Sequence, residues 1–113
     1  MTRIYKILGR AAWDAAVEAG RFDGAAIDLE DGYIHFSTAA QAPETAARHF
    51  RGQAGLVVAA FDAEDLGAGL RWEPSRGGQL FPHLYGPLDP ALAKGLTEAR
   101  LDADGVPQLG DLA

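Results

Sequence analysis

The chain has 113 residues, 48% of them hydrophobic, enough for one core spanning 1–113 and too few for two ordinary domains. Ten Lys plus Arg against sixteen Asp plus Glu leave a net charge of -6, the wrong sign for the general phosphate attraction of a nucleic-acid binder. With no Cys in the chain, disulfides, thiolate zinc sites, iron–sulfur clusters and a Cys nucleophile are excluded.

The start Met1-Thr2-Arg3-Ile4-Tyr5-Lys6 leads straight into a strand pattern, with no apolar signal core behind it. The longest apolar run, residues 56–61, is far short of the roughly 20 residues of a membrane-spanning helix. The expectation is a soluble, cytoplasmic protein with no membrane partner.

Residues 3–8 are rich in Ile and Tyr and predict a strand. Residues 10–19 carry Ala12, Trp13, Ala16 and Val17 at helical spacing, and Gly20 follows as a C-terminal cap. Residues 22–31 read as loop, with a short strand at 25–29 as an alternative. Their carboxylates Asp23, Asp28, Glu30 and Asp31 read as solvated charge. Residues 33–37 alternate, so Tyr33, His35 and Ser37 share one side and Ile34 and Phe36 the other. Thr38 and Gln41 have the spacing of a capping box, one turn ahead of a helix from Pro43 or Glu44 to Arg51, stopped at Gly52.

The apolar run 56–61 has no polar alternation and predicts a central strand buried on both faces. Residues 70–73 and 80–85 read as further strands, the second placed at an edge or a bulge by Pro82. Asp89-Pro90 marks a capped helical turn, and residues 96–101 a last strand. About six strands and two main helices in irregular order predict an α+β fold rather than a doubly wound sheet.

Three histidines carry the near-neutral chemistry. His35 precedes a helix N-terminus, where free N–H groups and the helix dipole favour an anion; a half-buried histidine within the sheet layer is the competing reading. Phe81, His83 and Tyr85 face one way on a strand, a slot able to stack a nucleobase or nicotinamide ring, or an ordinary core stripe. His49 reads as a solvated helix residue. Glu73 beside Trp72 is a carboxylate that desolvation would raise, while Arg71 and Glu73 on one face also read as a surface ion pair. P-loop, Rossmann, zinc-protease and α/β-hydrolase motifs are absent from the sequence, and no metal is expected.

Gly32-Tyr33-Ile34-His35-Phe36-Ser37-Thr38, Arg71-Trp72-Glu73-Pro74 and Phe81-Pro82-His83-Leu84-Tyr85-Gly86-Pro87-Leu88 occur together in this order. With Ile4-Tyr5-Lys6-Ile7 and Leu56-Val57-Val58, they resemble the bacterial family of small proteins known only as a domain of unknown function, DUF 952. That family in turn resembles, at fold level, the ADP-ribosyltransferase-like superfamily. The resemblance implies a split, mixed or antiparallel sheet with a cleft for NAD or an ADP-ribosyl compound, NAD being a substrate rather than a resident cofactor.

RNA 2′-phosphotransferases of that superfamily use an adjacent His-Ser pair after a strand; His35-Phe36-Ser37 is similar in kind with a Phe between. Lys6 stands where such enzymes carry a His or Arg, and offers a point charge rather than a fork or a neutral ring. Glu73 or His83 fits the late-strand motif, and the sequence does not choose between them. The resemblance thus implies catalytic roles for His35, Glu73 and His83. It implies contacts to a small nucleotide ligand for Tyr5, Lys6, Tyr33, Ser37, Thr38, Arg71, Phe81 and Tyr85. The alternative is a small-ligand or protein-binding module that keeps the fold without transferase chemistry.

Overall fold

The computed structural model describes residues 2–112. Alternation of Ile4, Lys6 and Leu8 against Tyr5 and Ile7 makes strand β1, Arg3–Gly9, which runs antiparallel to β3, Leu56–Asp62. β3 is buried along its whole length, because β1 flanks it on one edge and β6, Gly95–Leu101, on the other. A short β7, Pro107–Gln108, which the turn signals of the sequence did not reveal, completes a four-stranded sheet in the order β1-β3-β6-β7. A second sheet has the order β2-β5-β4, with β2 at Ile34–His35, β4 at Leu70–Pro74 and β5 at Leu80–Leu84. A bridge between Tyr5 and Ser37, bonded in both directions, ties the two sheets together.

Val57, Ala59 and Phe61 on one face of β3 pack with Ile4, Trp13 and Phe36 in the larger core cluster, which lies between the two sheets and helix α1, Arg10–Ala19. Leu56, Val58 and Ala60 on the other face pack with Ala42 and Ala46 of helix α3, Ala42–His49. The fold is therefore α+β, as expected, with an apolar layer on each side of one central strand. No helix among the described residues is long and apolar enough to cross a membrane.

Several expectations need correction. The sheet is split, as expected, and of the two expected forms, mixed or antiparallel, it takes the antiparallel one in every strand pair among the described residues. Among the described residues there are seven strands and three α-helices rather than about six and two. Residues 23–25 are loop and Asp23, Glu30 and Asp31 are exposed, as expected, but Ala26–Asp31 form helix α2, neither loop nor strand, with Asp28 buried and Gly32 closing it in the left-handed region at φ 88°. The helix is six residues long, too short for hydrophobic periodicity to reveal. It exists because the Asp28 carboxylate accepts the Ala25 N–H at its start, 2.8 Å away.

Pro82 sits in the middle strand of the smaller sheet, not at an edge. The Phe36 N–H still donates to the Pro82 carbonyl at 3.0 Å, and Pro82 has no N–H to return the bond. The β2 ladder accordingly ends at His35. The helix after Thr38 starts at Ala42, earlier than expected, because Thr38 and Gln41 exchange bonds reciprocally and pre-form its entry.

Candidate functional site

The smaller sheet turns one face outward, and antiparallel register sets out its chemistry. Arg71 pairs with His83, and His83 with His35, so these three stand in line across β4, β5 and β2. Each is about 4.8 Å from the next in the strand-to-strand direction. Tyr85 and Tyr33 flank that row on one side, and Glu73, opposite Phe81, on the other. Tyr33 stacks on His83 with centroids 4.1 Å apart and 27° between planes. It lies 4.7 Å from His35 and 5.3 Å from Tyr85, and the Arg71 guanidinium sits 5.4 Å from the centre of the Tyr85 ring.

Two carboxylate systems hold this face. His83 Nδ1, facing Glu73 Oε1 at 2.9 Å, and the Tyr85 hydroxyl, at 2.7 Å, converge on the same oxygen. Those hydrogen bonds, that of His83 first, hold the Glu73 carboxyl below its ordinary range, the reverse of the rise expected from Trp72. Trp72 is on the other face, across from Pro82. Tyr85 is pushed up by its bond to Glu73, and Tyr33 by burial and then by Asp31 and Glu73.

The second system centres on Asp28, 1% exposed. It accepts from Lys6 Nζ at 3.0 and 2.9 Å, from the His35 N–H at 3.1 Å and from His35 Nδ1 at 2.6 Å, besides Ala25. Burial alone would raise its pKa; bonds from His35 and Lys6 outweigh this and hold it at about 2. Burial also pushes the Lys6 ammonium down, with Asp28 opposing. His35 Nε2 in turn contacts Asp31 Oδ2 at 2.9 Å. His35 therefore faces two carboxylates, not the free N–H groups of a helix start: Thr38, which begins the next turn, gives its own N–H to Gln41.

Of the residues singled out in the sequence, His35, His83, Glu73, Tyr33, Tyr85 and Arg71 come together on this face. Lys6 reaches it only through Asp28. Tyr5 packs in the α3-side core, Phe81 is buried beside Glu73, and the Ser37 hydroxyl meets that of Thr45 at 3.1 Å. His49 is exposed at the end of α3. Sequence reasoning missed Asp28 and Asp31, and it left a signal unused. Lys6 falls on the inward alternation Ile4-Lys6-Leu8, and a lysine buried there requires a carboxylate partner.

A cavity of about 270 Å³ opens beside Tyr33, lined also by Asp28, Gly32, Ile34, Leu84 and Gly86. A larger one, about 350 Å³, lies far from this chemistry, beside Arg10, Gly55, Glu98 and Arg100. Gly69 lets the start of β4 approach the end of β5: a Cβ there would stand 2.7 Å from the Tyr85 carbonyl oxygen. Gly69→Ala is expected to cost about 1–3 kcal/mol by forcing the strands apart. A denaturant midpoint unchanged from wild type would show that the approach is looser than this.

The fold and site together define a two-sheet α+β protein bearing a tyrosine- and histidine-lined face braced by the buried Asp28 and the partly exposed Glu73. The chain belongs to the family described as "Protein of unknown function (DUF952)", whose model matches residues 7–93. It is similar to the crystal structure of protein CC0527 from Caulobacter crescentus, at 60% identity, 96% coverage of both chains and a TM-score of 0.94. The solution NMR structure of the same Caulobacter protein is 61% identical, with 97% of this chain and 95% of that one covered and a TM-score of 0.86. No curated protein is matched.

Proposed function

We propose that the chain binds a small ligand bearing a flat heteroaromatic ring in a cleft formed by the His35 and His83 segments, and that NAD or an ADP-ribosyl compound is the ligand class. The observation that carries this reading is the ring cluster: Tyr33 stacked on His83 at 4.1 Å, with Tyr85 and His35 alongside; Tyr33 is the ring of this cluster that also lines the neighbouring cavity of about 270 Å³. That volume is close to the lower limit of small-molecule sites, so it suits one ring with its sugar rather than a whole dinucleotide. A nicotinamide ring is positively charged, and the carboxylates of Asp31 and Glu73 border the cluster. In transferase chemistry Glu73 would stabilise the oxocarbenium-like charge that develops as the glycosidic bond breaks. The family resemblance to ADP-ribosyltransferase-like proteins supports the same class by analogy of fold alone.

A second reading, binding without catalysis, has its own support: Glu73 is engaged by both His83 and Tyr85, and both His35 nitrogens face carboxylates. Thermal-shift titration with NAD and ADP-ribose tests the binding. A ligand at about 100 times its Kd should add about 2.7 kcal/mol of stability, lost in Tyr33→Ala. No shift with either ligand overturns the reading. A shift with no nicotinamide release on prolonged incubation favours the non-catalytic form.

A further inference from the structure

Resting on the cleft as the ligand site, we propose that His35 Nε2 is the seat for an anionic phosphate group of the ligand, and that Asp31 occupies it as a tethered stand-in when no ligand is bound. His35 presents both ring nitrogens to carboxylates, Nδ1 to Asp28 at 2.6 Å and Nε2 to Asp31 at 2.9 Å. Carboxylates only accept, so the two bonds are made together by the imidazolium form, which donates from both nitrogens.

The two partners are very unequal. The Asp28 side chain is 1% exposed and also holds Lys6 and the N–H groups of Ala25 and His35; its departure would strand a buried ammonium. The Asp31 side chain is 40% exposed, lies at the last position of α2 just before Gly32, and has His35 as its one hydrogen-bond partner among the described residues. An exposed ion pair of this kind is weak, so an external oxyanion displaces it easily. Asp28 keeps the ring oriented with Nε2 outward while that happens.

Tyr33 lies 4.7 Å from His35, so an anion on Nε2 sits next to a ring held in the cluster. His83 and Arg71 continue the same cross-strand row. The ligand so described carries a phosphate one sugar's reach from a flat ring.

Isothermal titration of wild type, Asp31→Ala and the double variant Asp31→Ala/His35→Gln, with ADP-ribose and with inorganic pyrophosphate, tests this. Asp31→Ala removes an exposed side chain and should fold as wild type does. It is expected to tighten both probes by about two- to fivefold by removing the competing carboxylate, and the double variant should lose that gain. Wild-type binding that Asp31→Ala leaves unchanged or weakens, or a gain that survives loss of His35, overturns the role of Asp31 and leaves the cleft reading standing. Absence of binding to all three proteins overturns both.

Discussion

Asp28→Ala should destabilise the protein by about 3–5 kcal/mol, the range for removing one partner of a buried ion pair. The variant strands the Lys6 ammonium, 5% exposed at its side chain, and withdraws the acceptor for the N–H groups of Ala25 and His35 and for His35 Nδ1. Denaturant unfolding measures it; a loss under 1 kcal/mol would mean that Lys6 finds water or another partner. Adding Lys6→Met to Asp28→Ala should recover part of the loss, because the charge left unpaired is then gone. The same residue sets an acid limb. Its pKa is about 2 in the folded chain against an ordinary 3.8, so its contribution is fully present above about pH 4 and disappears as pH falls through 2. A shift of that size corresponds to about 2 kcal/mol. Asp28→Asn should flatten the stability profile between pH 4 and pH 2; an unaltered profile would assign the acid limb to other carboxylates.

Phe61→Ala is expected to cost about 3–5 kcal/mol, through lost burial and the cavity left behind. Phe61 is fully buried in β3 and meets Trp13 edge-on at 6.3 Å and Phe36 at 5.9 Å. It joins the first helix, the central strand and the segment that carries His35. Because Phe36 adjoins His35 in the chain, the variant should also loosen the ring cluster, visible as weaker near-ultraviolet dichroism from the tyrosines. A loss below about 1.5 kcal/mol would mean that the core collapses onto the gap.

The site was legible where its residues follow a strand period. Tyr33 with His35, and His83 with Tyr85, were placed on common sides by alternation alone; the structure sets the first two rings 4.7 Å apart and brings the second pair to one Glu73 oxygen. The two pairs met because β2 and β5 are neighbours with His35 across from His83, a register that no local pattern encodes. Glu73 was legible as a carboxylate near aromatics, but the direction of its shift was not. That depends on whether its oxygen faces Trp72 or the donors of His83 and Tyr85, and pairing with β5 decides it. Asp28 and Asp31 were illegible as site residues because a short acidic segment looks like solvated charge. Only contact with Lys6, 22 residues earlier, turns Asp28 into a buried anchor.

What the amino-acid sequence determined by itself is local and periodic: the β1 and β3 strands, the α1 helix with Gly20 behind it, the Thr38–Gln41 exchange and the Asp89 cap. Each depends on steric preferences and hydrogen bonds within a few residues, which composition and spacing carry directly. The tertiary structure decided the rest: the six-residue α2, the interior place of Pro82, the all-antiparallel split into two sheets, and the gathering of Lys6, Asp28 and His35. These depend on which distant segments meet, and a buried charge is stable only once its partner has been brought to it.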